Sequence, residues 1–283
     1  MLDKYYKEPD AYISLQHNRN TPSVNHNFHL HNNYEIYYLV SGDVEYFIEK
    51  KKYILSSGDI LVINNNEIHR ATFLSRALYE RFVINVDPNF IKIFNLNGFS
   101  LLSCFENRQN GEQNRIHLSS QQAEDVEKIY MKLININHNK SEEASLLKLT
   151  CILELLVALN KAFSGTNADA DYPNIPKALV PILDFIDKNL DAPLTLDVLS
   201  ERFFLNGTYL SRLFKKATGS NLHSYILYKR ISKAKKLLAS GCNVTEACLK
   251  SGFGDHSNFC RMFKRTVGVT PGHYGRQMQE SFR

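Results

Sequence analysis

The sequence predicts an α+β chain: an N-terminal antiparallel β-barrel, a helical segment, and an all-α C-terminal domain with two helix-turn-helix modules. Three observations carry this. Residues 23–86 alternate short runs rich in Val, Ile, Tyr and Phe with turn signals of Gly, Asn and Ser, as closely spaced antiparallel strands do. From Ser119 the apolar spacing becomes that of helices. Beyond residue 176 one segment occurs twice, 49 residues apart, too few copies for a solenoid but enough for paired modules.

The barrel is expected over residues 1–112, with strands at "YEIYYLV", "VEYFIE", "YIL" and "ILVI". A helical dimerisation segment is expected over 113–164. Residues 119–136 open on a Ser suited to an N-cap and space Val126, Ile129, Tyr130 and Leu133 on one face. Residues 142–163 are apolar around more than half of the helix, which fits burial against a partner helix or subunit and equally against the barrel. Residues 165–176, small, polar and Pro-containing, read as a linker, and 177–283 as the second domain.

Bulk numbers agree with two folded domains. The chain has 283 residues, 43% apolar and 22% charged, far from disordered or fibrous compositions. Apolar runs such as "LLVAL" at 155–159 fall well short of the ~20 residues that span a bilayer, and the N-terminus carries no export signal. Cys104, Cys151, Cys242, Cys248 and Cys260 form no C-x-x-C pair, which excludes a thiolate zinc site of that spacing and points to a reducing, cytoplasmic setting without a membrane partner. Residues 175–283 hold 17 Lys and Arg against 8 Asp and Glu, whereas residues 1–174 hold 17 against 21. A basic last third is the electrostatic footprint of a nucleic-acid binder.

The repeat gives that footprint a mechanism. "FFLNGTYLSRLFKKATGSNLHSY" (203–225) falls on "GFGDHSNFCRMFKRTVGVTPGHY" (252–274) without a gap, so that Phe204, Arg212, Phe214, Lys215 and Gly219 coincide with Phe253, Arg261, Phe263, Lys264 and Gly268. In the first copy Leu210, Leu213 and Phe214 turn inward. In the second, Asp255 or Ser257 caps a helix that buries Phe259, Met262 and Phe263. The outer faces then carry Thr208, Ser211, Arg212, Lys215 and Lys216 in one copy and His256, Ser257, Asn258, Arg261, Lys264 and Arg265 in the other. Such second helices enter the major groove of double-stranded DNA. Arg212 and Arg261 are the expected base readers, and the cations a turn later the expected phosphate holders. A helix over 222–240 bridges the modules and sets their spacing.

These residues resemble the AraC family of bacterial transcription regulators. Its signature is carried by Ala247, Gly252, Phe253, Asp255, Phe259, Arg261, Phe263, Lys264, Gly268, Thr270, Pro271 and Tyr274, with departures at Cys248, where Ala is customary, and Gly275, where Arg is usual. The resemblance implies DNA contacts from both recognition helices, and an N-terminal domain that binds an effector or mediates homodimerisation. It also implies transcription activation, hence RNA polymerase as a partner.

The stretch "NFHLHNNYEIYYLVSG" (27–42) is similar to the first motif of cupin barrels, H-x-H-x3-E-x6-G, through His29, His31, Glu35 and Gly42. The second motif runs from Gly58 to His69, with Asn64 and Asn66 where Pro and Gly are usual. Three readings stay open. His29, His31, Glu35 and His69 line an organic-effector pocket with Tyr37 and Arg81, and with Tyr46, Arg70 and Tyr79 as further candidates. Or the same four residues hold a divalent metal for regulation, since imidazole and carboxylate ligands suit Fe, Mn, Ni or Zn, with no other cofactor expected. Or that metal is catalytic. His17, His117, His138, His223 and His273 show no ligand spacing and read as surface or capping residues. The expectation is therefore a DNA-binding regulator, an activator, with a small-molecule effector for which the resemblance favours a carbohydrate. The alternative is a cupin metalloenzyme, an oxygenase or sugar isomerase, tethered to DNA.

Overall fold

A computed structural model of the chain describes residues 12–21, 27–137, 141–164 and 175–281. The linker expected at 165–176 lies outside these over 165–174, as does His138. The N-terminal domain is built from β1 (Ile13–Asn20), β2 (Tyr34–Ser41), β3 (Val44–Ile48), β4 (Lys51–Leu55), β5 (Ile60–Ile63), β6 (His69–Phe73), β7 (Tyr79–Val86) and β8 (Arg115–Ile116). They form two antiparallel sheets, one ordered β1-β7-β2-β5-β8 and the other β4-β3-β6. The two enclose a shared interior of Tyr37, Leu39, Leu61, Ile63 and Tyr79 from the larger sheet and Val44, Tyr46, Tyr53 and Ala71 from the smaller.

Register decides which side chains face that interior. Glu35, Tyr37 and Leu39 of β2 stand opposite Asn85, Val83 and Arg81 of β7, and Ser14 and Gln16 of β1 stand opposite Asn85 and Val83, so all share the inner face. The outer face of the same sheet, with Ile13, Tyr34, Ile36, Phe82, Ile84 and Val86, is apolar and buried under helices. Strand β1 lies outside the stretch in which strands were expected, because its inner positions are polar. His17, expected at the surface, is instead half-buried on this strand. Its ring stacks on Phe82 at 4.3 Å between centroids and its Nε2 lies 2.8 Å from Glu80.

Two short helices, α1 (Pro88–Lys92) and α2 (Ser103–Glu106), precede α3 (Ser120–Asn137) and α4 (Glu142–Ser164). Ser119 opens α3: its Oγ accepts from the Gln122 amide while Gln122 Oε1 accepts from the Ser119 amide, a reciprocal cap. Helix α3 packs through Tyr130 on Tyr38 and Phe82 of the larger sheet, and α4's wide apolar surface, with Ile152 and Leu156, is covered mainly by α3, with α2 and the edge strand β8.

The C-terminal domain holds α5 (Val180–Lys188), α6 (Leu196–Arg202), α7 (Gly207–Thr218), α8 (Leu222–Ala239), α9 (Val244–Lys250), α10 (His256–Val267) and α11 (Pro271–Ser281). Thr195, Asn206, Asn221, Asn243 and Asp255 cap α6 to α10, each side chain accepting the backbone N–H three residues on. The repeat is less regular than its sequence. The first helices, α6 and α9, are offset by 48 residues and the second, α7 and α10, by 49, so the first module's turn is one residue shorter. Both turns use the same helix-ending pattern. In the second module Gly252 donates to Leu249 O and Phe253 to Cys248 O; in the first, Phe204 donates to Glu201 O and Leu205 to Ser200 O. Phe204 thus occupies the place of Gly252, and Leu205 that of Phe253, which corrects the gapless alignment.

The two domains share a core. Phe28, Leu30, Phe47 and Ile68 of the β domain pack with Leu183, Phe214, Ala217, Tyr225 and Ile226. Polar ties surround this apolar contact. Arg70, on the outer face of its strand, donates to Thr218 O at 3.1 Å, and Lys50 pairs with Asp184 and Asp187 at 2.7 Å. Lys229 bridges Glu49 and Asp187. Lys235 is fully buried and donates to His31 O at 3.0 Å and to Asn65 O. None of this docking was expected from the sequence.

Candidate functional site

Backbone pairing brings the first motif to the second. His29 and His69 exchange amide bonds of 3.0 and 3.2 Å as an isolated bridge. The chain then bends at Asn32 and Asn33 before β2 begins at Tyr34, so the single continuous strand expected for His29 to Glu35 is interrupted. The side chains converge nevertheless. Ligand atoms of His29, Glu35 and His69 all lie within 4.8 Å of one another.

His31 is arranged differently from the other three. Its Nε2 is 3.2 Å from Glu35 Oε2 and its Nδ1 2.7 Å from Asn33 O. With both ring nitrogens facing oxygens, it braces the carboxylate. Burial pushes the Glu35 carboxyl up, but the His31 bond and the surrounding imidazoles outweigh it and hold the group at about 2. Burial pushes His69 well below the ordinary imidazole value, so it is neutral. With its Nδ1 donating to Glu67 O at 2.9 Å, its Nε2 is left as a lone pair. That Nε2 is buried without a hydrogen-bond partner, 3.9 Å from Glu35 Oε1.

Beneath His69 lies a buried ion pair. Arg108 donates to both oxygens of Glu67 at 2.6 and 2.8 Å, and both side chains are fully inaccessible. Arg108 also donates to the carbonyls of Val62, Cys104 and Glu112, while Glu67 accepts from the amides of Asn64 and Gly111. The carbonyl that orients His69 therefore belongs to the centre of a satisfied network.

Above the histidines opens a cavity of about 800 Å³. It is lined from the β domain by Gln16, His29, His31, Glu35, Tyr79, Arg81 and Asn85, and from the helical domain by Arg265 to Gly268. Of the residues expected in an effector pocket, His29, His31, Glu35, Arg81, Tyr46 and Tyr79 are on its wall. Tyr37 sits deeper, its hydroxyl 2.6 Å from that of Tyr79, and His69 is covered. Arg70 points to the domain boundary instead. The sequence did not disclose Gln16, Asn85 or the contribution of α10, since these residues meet only through strand register and domain docking. One bond joins the bend directly to that helix: Asn32 Nδ2 donates to Val267 O at 3.0 Å.

The expected DNA-facing residues are exposed on α7 and α10. Thr208, Ser211, Arg212, Lys215 and Lys216 lie opposite Leu210 and Phe214, and His256, Ser257, Asn258, Arg261, Lys264 and Arg265 opposite Phe259 and Phe263. Arg261 donates to Asn258 Oδ1 at 3.0 Å, which holds its guanidinium in place on the helix surface.

Residues 12–156 match the description "AraC-like ligand binding domain", and residues 199–277 match "Helix-turn-helix domain". The chain belongs to the AraC family of transcription regulators. The HTH-type transcriptional regulator YbfI of Bacillus subtilis is 25% identical over 81% of this chain and 80% of its own length. YtdP of the same organism is 36% identical over 40% of this chain, which spans only 14% of that relative. Among solved structures, ToxT from Vibrio cholerae O395 is 15% identical over 95% of this chain and 99% of its own, with a TM-score of 0.39. Among the described residues of this AraC-family chain, no helix is long and apolar enough to cross a membrane.

Proposed function

We propose that this AraC-family chain is a sequence-specific activator of transcription that responds to a small polar effector, a carbohydrate, held in the cavity between the β domain and α10. The observation that carries the reading is the composition of that cavity's wall: acidic, imidazole and guanidinium groups from one domain, and the last turn of a recognition helix from the other. Such convergent polar groups suit hydroxyl-rich ligands. An occupant touches His31 and Asn32, and through them Lys235 on α8 and Val267 on α10. Occupancy is thereby felt by both the bridging helix and the second recognition helix.

DNA binding in this reading rests on Arg212 and Arg261 as base readers, with Lys215, Lys216, Lys264 and Arg265 on phosphates. The apolar side chains Met131, Leu146 and Leu147, exposed on α3 and α4, are the candidates for a homodimer contact, and RNA polymerase is the partner of an activator. The relatives are named as transcriptional regulators, and the chain is read as a sensor, not an enzyme.

A divalent metal is a second occupant that one observation favours: the lone pair of His69 Nε2, buried beside His29 and Glu35. These three would hold the ion, with the backbone-bound Nδ1 of His69 and the His31 bond to Glu35 fixing their orientation. Bound there, the ion would supply a Lewis-acidic point for ligand oxygens.

The test is a thermal-shift screen with a panel of sugars and, separately, with zinc and manganese chloride. A true ligand at 100-fold its Kd stabilises by about 2.7 kcal/mol. The expected sugar loses its effect in Arg81→Ala, and the expected metal loses its effect in His69→Ala. A ligand that shifts wild type and these variants alike binds elsewhere and contradicts the reading.

A further inference from the structure

Four helix ends in the C-terminal domain place a residue in the left-handed region that is glycine: Gly219, Gly241, Gly252 and Gly268, with φ of 74, 98, 89 and 88°. The fifth is Phe204, at φ 53°. An aromatic residue is strained in this conformation, since its Cβ crowds the carbonyl that follows. The side chain recovers nothing by packing, because Phe204 is 96% exposed, the most exposed of the large apolar residues among the described ones. Strain of this kind clusters at functional sites.

Its position says which site. Phe204 sits in the turn between α6 and α7, two residues before the cap Asn206 of the recognition helix. The N-terminal end of such a helix meets base edges, so the residue just ahead of it stands at the rim of the groove. The first turn of α7 adds a second exposed aromatic, Tyr209, and exposed Arg212, Lys215 and Lys216 follow, a surface suited to a polyanion. Thymine is the one base whose major-groove edge carries a methyl group, and Phe is a residue that meets it.

We propose that Phe204 is a specificity-determining contact of the first module, packing on a thymine methyl at the edge of the site that α7 reads. This rests on α7 as a DNA-reading helix. It gives the two modules different chemistry: an aromatic contact in the first, and a bare glycine turn in the second. At Gly252 no side chain fits, since a Cβ would lie 1.9 Å from Leu190 O.

The experiment uses the full chain and duplexes enriched by the wild-type protein from a random pool. Phe204→Gly relieves the backbone and is expected to raise the melting temperature by about 2–4 °C, as roughly 1 kcal/mol does in a chain of this size. Its affinity for the enriched duplex is expected to fall about tenfold with the salt slope unchanged, because no phosphate contact is lost. Replacing one particular thymine by deoxyuridine weakens wild type several-fold and leaves Phe204→Gly unaffected. Phe204→Tyr, which keeps an aromatic ring, keeps wild-type affinity.

A more stable variant that binds as tightly as wild type overturns the proposal, and so does a variant that melts lower, which assigns Phe204 a structural role. Arg212→Ala separates this from the reading beneath it. If that variant also binds like wild type, α7 does not read DNA; if only Phe204→Gly does, the thymine contact alone is wrong.

Discussion

Replacing Arg108 by Met is expected to lower the unfolding free energy by about 3–5 kcal/mol, because it strands a fully buried carboxylate without its partner. Glu67 then keeps the amides of Asn64 and Gly111 but loses the two guanidinium bonds at 2.6 and 2.8 Å. The carbonyls of Val62, Cys104 and Glu112 lose their Arg108 donor as well. Urea denaturation measures the loss. Adding Glu67→Gln removes the stranded charge and is expected to return part of it, so the double variant is more stable than Arg108→Met alone. A single variant within about 1 kcal/mol of wild type contradicts a buried, charged pair.

The second large effect is a pH dependence of domain docking centred on Lys235. Burial, with a smaller push from Lys236, lowers the ammonium of this residue to about 7, against an ordinary value near 10.4. Between these values the unfolded chain binds a proton that the folded chain does not, so stability rises with pH across that window. Below pH 7 both forms are protonated, and the cost of burying the charge is present in full. At 1.36 kcal/mol per pH unit the gain from pH 7 to 10 is on the order of 3 kcal/mol. Lys235→Met removes the titrating group, so the difference between its stability curve and that of wild type isolates this residue from other groups that titrate in the window. Parallel curves over pH 7–10 would show that Lys235 stays charged in its pocket.

Much of the helical domain was legible because its signals are local. Asn and Asp caps, the inward triplets of α7 and α10 and the Arg positions at matching places in the repeat all follow from neighbours along one helix. The one misreading there, Phe204 aligned with a buried Phe253, arose because a one-residue difference in a turn leaves the flanking helices in apparent register. The β domain was harder to read. Its larger sheet is covered on both faces, so alternation could not say that Glu35 and Arg81 face a cavity while Ile36 and Phe82 face α3 and α4. Strand β1 escaped because Ser14 and Gln16 serve the cavity and look like loop residues in sequence. His29, His31, Glu35 and His69 were expected together from the two motifs; His29, Glu35 and His69 do meet, by a backbone bridge between His29 and His69, while His31 stands aside on the Glu35 carboxylate. Docking was illegible altogether, since Lys235 and Val267 lie some 200 residues from the bend they hold.

In the proposed function α7 and α10 read one DNA site through Arg212 and Arg261. Footprinting at about 0.15 M salt on duplexes enriched by the wild-type chain decides between this and a non-reading role. Wild type should protect two segments about one helical turn apart. Arg212→Ala should expose one of them and Arg261→Ala the other, each variant keeping wild-type melting. Full protection of both segments by both variants would contradict the assignment.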